Sequence, residues 1–121
     1  MFVLILILGM VQSFKINVIG DWGRRGQFSQ RDVAQNMKVA DFTISVGDNF
    51  YPEGLTDLNK NDIIRESWLQ IYYPQVPWYV ALGNHDHNGN VSVQLQMHHE
   101  YPLWNMPSNE YSFVRDDHGF V

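Results

Sequence analysis

Short apolar runs alternate with amphipathic stretches along this chain, and three of the runs end alike. Ile16-Asn17-Val18-Ile19, Phe42-Thr43-Ile44-Ser45-Val46 and Trp78-Tyr79-Val80-Ala81-Leu82 are rich in β-branched and aromatic residues, the composition of buried parallel strands. Each is followed by Gly and then a carboxylate or carboxamide: Gly20-Asp21, Gly47-Asp48 and Gly83-Asn84. Between the first two, Ser29 with Asp32 three residues on predicts an N-cap and a helix to about residue 39, with Val33, Met37 and Ala40 on one face. Residues 49–60 carry Pro52, Gly54 and several Asn and Asp and read as a loop. The spacing of Ile64, Trp68, Ile71 and Tyr72 predicts a second helix over 62–72, with those four in the core. A third helix is expected from Asn90 or Ser92 towards Glu100, broken by the stretch from Pro102 to Pro107, and a further strand at 111–114. Strands alternating with helices predict βαβ units, an α/β class and a parallel sheet.

That topology gives the repeated ends a meaning. Gly after a strand permits the tight backbone that swings the next side chain over the strand ends, where ligands of open α/β sheets bind. Asp21, Asp48 and Asn84 are thereby expected at one edge, three hard oxygen donors with Tyr51 and His85 close behind: a metal site. Singly, each is weaker, since an Asp after a strand is ordinarily a turn former or cap. Tyr51 lies three residues after Asp48, and spacing alone is equally consistent with a buried Tyr beside Pro52. A phenol titrates near about pH 10 in isolation, so only a strongly Lewis-acidic ion such as Fe(III) would hold it as phenolate. Asn84 would limit negative charge around a metal whose substrate is an anion. His85 could give a proton or hydrogen bond to a leaving oxygen. Asp86 is expected to orient that histidine, with His87 in the same surrounding layer.

Composition removes several classes. The 121 residues suit one small domain or part of a larger one, and an apolar fraction of 45% argues against disorder. A formal charge of −5 and a pI near 5.3 leave no electrostatic footprint for nucleic acid. Absence of cysteine excludes thiolate zinc, thiol nucleophiles and disulfides. Residues 1–13 are uncharged and mostly apolar, too short for the roughly 20 residues of a membrane span. They read as a signal peptide cut after Ser13, with a buried first strand as the alternative. Asn90-Val91-Ser92 is a glycosylation sequon in a secreted protein. Secretion or lysosomal delivery is the expected location.

Gly20-Asp21-Trp22-Gly23, Gly47-Asp48-Asn49-Phe50-Tyr51 and Gly83-Asn84-His85-Asp86 resemble the first three signatures of the calcineurin-like metallophosphoesterases. The tyrosine in the second resembles the purple acid phosphatase form. The run 76–92 and Trp104-Asn105-Met106-Pro107-Ser108 are similar to the small tartrate-resistant type. The resemblance implies that residues 14–121 are the amino-terminal βαβαβα part of a layered metallophosphoesterase fold. It implies a dinuclear centre of Fe(III) with Fe(II) or Zn(II), Mn being a further option. Asp21 would bind the ferric ion, Asp48 would bridge, Tyr51 would be the phenolate of the purple colour, and Asn84 would bind the second ion. His85 would stabilise or protonate the reacting phosphate monoester, which metal-bound hydroxide attacks in line. The family's later Val-x-x-His and Gly-His-x-His motifs have no counterpart here; His98, His99 and His118 lack that context. The expectation is an acid phosphatase whose 121-residue stretch is inactive alone. The alternatives are a non-catalytic short product keeping half a site, and a phosphodiesterase of the same superfamily, against which Tyr51 argues.

Overall fold

Thr43 pairs with Asn17 on one side and Trp78 on the other in the computed structural model of the chain, which describes residues 13–115. Residues 1–12 of the expected leader, and His118, lie outside the described residues. Strands β1 (Ile16–Ile19), β2 (Phe42–Ser45), β3 (Trp78–Val80) and β4 (Trp104–Asn105) form one sheet in that order, every neighbour parallel. Helix α1 (Gln30–Asn36) joins β1 to β2. Between β2 and β3 run α2 (Lys60–Ile64), a π-helical turn (Arg65–Leu69) and α3 (Gln70–Tyr72). Helix α4 (Val91–Glu100) leads into β4. The predicted α/β alternation with a parallel sheet is what forms.

Period-two alternation divides the strand side chains between two faces. Ser45, Trp78, Val80 and Trp104 face the helices and are buried there with Trp22, Phe50, Leu55, Ile63, Ile64, Trp68, Val93 and Met97. The predicted helical core holds: Ile64 and Trp68 are 1% exposed, Ile71 is buried, and Tyr72 packs against the cluster. The opposite face carries Phe42 and Tyr79, on which Phe113 stacks with ring centres 3.7 Å apart. Val18 and Val46 remain largely exposed.

Four element expectations change. Helix α1 ends at Asn36, and Ser29 is no conventional cap: its φ of 63° is left-handed and its side chain makes no capping bond. An N-cap oxygen needs extended backbone to reach the first-turn amides, which that conformation denies. Val39 is 90% exposed instead of continuing a helical face. The second helix begins at Lys60 and widens into the π turn. Strand β4 forms between Pro102 and Pro107; both prolines lie outside its two residues, so no ladder donor is lost. Residues 111–114 form no strand. Tyr111 does the work with its side chain: its Oη accepts from the Val80 N–H at 2.7 Å and lies 3.0 and 2.8 Å from the Val80 and Asn105 carbonyls.

Candidate metal centre

Three turns meet above the carboxyl ends of β1, β2 and β3. The Asp21 N–H donates to the Gly47 carbonyl, and the Tyr51 N–H to the Gly23 carbonyl. The second and third turns touch so closely that a Cβ on Gly83 would lie 2.1 Å from Asp48 Oδ1. Gly47, at φ 113°, would bring a Cβ to 2.8 Å from the Gly83 nitrogen. Only glycine fits either place. Asp21 and Asp48 themselves sit at φ 58° and 52°; Asp and Asn tolerate that left-handed region better than most residues. Such conformations persist where surrounding structure over-determines them.

Below the turns a buried carboxylate does this. Asp86 is fully buried, and accepts from the Asn49, Phe50 and Gly83 amides and from Gln94 Nε2. It thus ties the turn bearing Asp48 to the turn bearing Asn84. Asn49, also fully buried, adds bonds to the Ala81 carbonyl and Gln94 Oε1. The expectation that Asp86 orients the His85 ring gives way here, because both its oxygens are consumed by backbone and amide donors. The ring is fixed by Pro52, whose carbonyl lies 2.6 Å from Nδ1. A carbonyl only accepts, so Nδ1 carries hydrogen and Nε2 is left for other chemistry. His87 is exposed on the short 3-10 turn Asp86–Asn88, away from these contacts.

Three of the oxygen donors, Asp21, Asp48 and Tyr51, come together. Tyr51 Oη is 2.6 Å from Asp21 Oδ1 and 2.9 Å from Asp48 Oδ2. Asp48 Oδ1 accepts from the His85 N–H at 2.9 Å, and the Tyr51 and His85 ring centres are 4.4 Å apart. Asn84 lies exposed in the same turn, between Gly83 and His85. Burial, and after it the hydrogen bonds to Asp21 and Asp48, push the Tyr51 phenol well above its ordinary range. A phenol has one hydrogen, and here it faces two carboxylates. Whichever it serves, the other oxygen confronts a lone pair, a contact that a hard cation among the three would relieve. The donor set therefore fits a cation, and a bound cation would reverse the shift on Tyr51. Among the described residues no three His, Cys, Asp or Glu side chains gather at one point; the cluster is two carboxylates and a phenol.

Asn90 is exposed, caps α4 by accepting from the Ser92 N–H, and donates to Asp57 at 3.3 Å. His98 points its Nδ1 at the Trp104 carbonyl and His99 is exposed on α4; neither joins the oxygen cluster. Sequence reasoning passed over Asn49, Gln94 and Gln30. Asn49 was legible as the residue after Asp48, whereas the two glutamines show only as polar positions on otherwise apolar faces. Among the described residues, no helix is long and apolar enough to cross a membrane.

Fold and cluster together define a parallel α/β protein with a cluster of oxygen donors at its strand ends. Residues 14–119 match the family model described as calcineurin-like phosphoesterase, and the chain belongs to that family. It is 49% identical over 92 residues to purple acid phosphatase 7 of Arabidopsis thaliana, covering 69% of this chain and 28% of that one. Identity to tartrate-resistant acid phosphatase type 5 of Homo sapiens is 34% over 118 residues, covering 85% and 36%. Among solved structures it is similar to GAP50, the anchor in the inner membrane complex of Plasmodium. The TM-score is 0.68 at 27% identity, over 83% of this chain and 36% of that one. The chain spans between 24% and 36% of the length of such curated relatives. Family membership implies a dinuclear metal centre.

Proposed function

We propose that the protein hydrolyses phosphate monoesters as an acid phosphatase, with Asp21, Asp48, Tyr51 and Asn84 as metal ligands and His85 acting on the substrate. The observation that carries this is the Tyr51 hydroxyl held against both Asp21 and Asp48. A dinuclear Fe(III)–Fe(II) or Fe(III)–Zn(II) centre, with Mn as a further option for the second ion, would neutralise the phosphate and supply an activated water. Asp48, which meets Tyr51 through one oxygen and the His85 N–H through the other, would be shared by the two ions; neutral Asn84 would keep the site's negative charge low for an anionic substrate. His85, its Nδ1 held by Pro52, presents Nε2. From there it would give a proton or a hydrogen bond to the leaving oxygen. The Pro52 bond fixes the ring for that transfer.

The test is colour and turnover in the protein as the cell makes it. Purple absorption from Tyr51 to Fe(III), lost in a folded Tyr51→Phe variant, is the expected result; a variant that stays purple overturns the Tyr51 assignment. Met1–Val121 alone is expected to retain fewer than two metals and to turn over poorly, because the described donors are all oxygens. A second reading is a non-catalytic scaffold that keeps half a site. It draws on GAP50, an anchor in name, which shares this fold at 27% identity. Two bound metals without turnover of any phosphate ester would favour it.

The same proposal includes secretion or lysosomal delivery, supported by the uncharged apolar residues before Ser13 and by exposed Asn90. Expression in a secretory cell should yield an N-terminus near Phe14 and a glycan on Asn90. Mass spectrometry finding Met1 intact on a cytosolic product would refute it.

A further inference from the structure

Beside the oxygen cluster a cleft of about 510 Å³ is lined by Arg24, Arg25, Gln27, Phe28, Tyr51 and Pro52, a size typical of small-ligand sites. The Arg24 guanidinium lies 3.5 Å from the centre of the Tyr51 ring and 5.1 Å from that of Phe28. Stacking on aromatic rings occupies a guanidinium's faces and leaves the N–H groups on its edge for an anion. Arg25 is paired with Glu66 at 3.7 Å. Arg24 makes no ion pair among the described residues.

The loop that presents Arg24 is built rigidly. Buried Gln30 accepts from the Arg24 and Gly26 amides through Oε1 and donates to the Ser67 carbonyl through Nε2 at 2.6 Å. Fully buried Ser67, in the π turn, accepts from the Arg25 amide. Arg25, Gly26, Phe28 and Ser29 all have left-handed backbone. Strain of this density collects at ligand-binding loops, and a π turn frequently marks a functional place. Phe28, 78% exposed, is left beside the cleft.

We propose that this cleft binds a second anionic group on the leaving-group side of the substrate, with Arg24 as its principal contact. The preferred substrates are then phosphate monoesters whose alcohol bears another phosphate. Tyr51 joins the two places: its hydroxyl meets Asp21 and Asp48, over which a phosphate would sit, and its ring lines the cleft under Arg24. This rests on the phosphomonoester reading above and adds a substrate class to it.

A matched pair of esters tests it: 1,3-propanediol monophosphate and 1,3-propanediol bisphosphate, with kcat and KM measured on the whole protein. In Arg24→Gln the ratio of the bisphosphate KM to the monophosphate KM is expected to rise about tenfold, the size of one charge-assisted pair. Arg24→Lys keeps charge and stem but not the fork, and should raise it about threefold. It decides the matter by itself if Arg24→Gln fails to fold. A ratio unchanged within about twofold overturns the proposal. So does an equal fall in kcat on both esters at constant ratio, which assigns Arg24 to holding Tyr51 only. Wild-type protein that hydrolyses neither ester defeats the phosphomonoester reading and this one with it; hydrolysis of both without a shift in ratio defeats this one alone.

Discussion

Asp21 and Trp22 are neighbours in sequence and belong to regions built on opposite principles. Asp21 is exposed, in left-handed backbone, with its carboxylate against a phenol oxygen. Trp22 is 3% exposed, and its ring meets Phe50, Tyr72, Trp78 and Trp104 edge-on, at centre distances of 5.2 to 6.4 Å. Phe50 and Tyr51 repeat the contrast across the same turn, one in the core and one in the cluster. The aromatic layer is satisfied where it stands: each such pair adds about 0.5–1.5 kcal/mol beyond its burial. The oxygen cluster is strained, and three electron-rich groups share one proton. The difference teaches how the strain is held. Asp21 is one residue from Trp22 and Asp48 two from Phe50, both anchors in the core, so the turns cannot relax without unpacking Trp22 or Phe50.

The largest way to break this division is from below. Trp104 is fully buried, touches Trp22, Phe50 and Trp68, and donates Nε1–H to the Gln94 carbonyl at 3.1 Å. Trp104→Ala is expected to cost about 3–5 kcal/mol of folding stability, read by denaturant unfolding, and to free Gln94 from its place beside Asp86. A variant of unchanged stability would mean that the aromatic layer is not what anchors the turns.

Asp48→Asn attacks from above. Asn accepts left-handed backbone as readily as Asp, so the metal-free protein should melt within about 1 kcal/mol of wild type. Metal content and phosphatase turnover should fall at least about 100-fold, since a ligand is being removed where even supporting residues are worth 10- to 100-fold. Turnover that survives with both metals bound would place the bridge elsewhere. A large loss of stability would show that the two regions are not separable.

The same division explains what could be read from the chain and what could not. Strand ends and their donors were legible because Gly-Asp or Gly-Asn after a β run is a local signal, and parallel topology does the gathering. The apolar spacing of Ile64, Trp68 and Ile71 gave the helical face for the same reason. The supporting layer was hidden. Asp86 reads as an orienting partner for the histidine beside it, yet its bonds run to Asn49 and Phe50, 37 and 36 residues away. Gln30 holds the Arg24 loop through Ser67, at a separation of 37, and nothing in periodicity marks that. Strand β4, at two residues, is shorter than any pattern can register. Long-range polar bonds and very short pairings are settled by the folded arrangement.

The smallest expected effect compares two tyrosines, one from each region. Tyr51 and Tyr72 both have phenols raised above the ordinary value, first by burial; Tyr51 feels two carboxylates besides, whereas burial alone takes Tyr72 to about 12. The Tyr72 hydroxyl is buried, and the Gln30 side chain beside it offsets only part of that burial without making a hydrogen bond of good geometry. An unfolded tyrosine ionises near about pH 10. Below that, both states keep the proton and Tyr72 adds no pH dependence. Between about 10 and 12 the unfolded chain loses the proton first, so stability falls as pH rises, by at most about 1.4 kcal/mol per pH unit for one group. Tyr72→Phe should remove this contribution. It should also gain up to about 1 kcal/mol near neutrality by deleting a poorly satisfied buried hydroxyl. Denaturant unfolding of both proteins from pH 8 to about 12 measures it, the metal-free form being used so that Tyr51 stays a phenol in each. Equal alkaline slopes would show that burial does not govern Tyr72, and that the two tyrosines differ less than their surroundings imply.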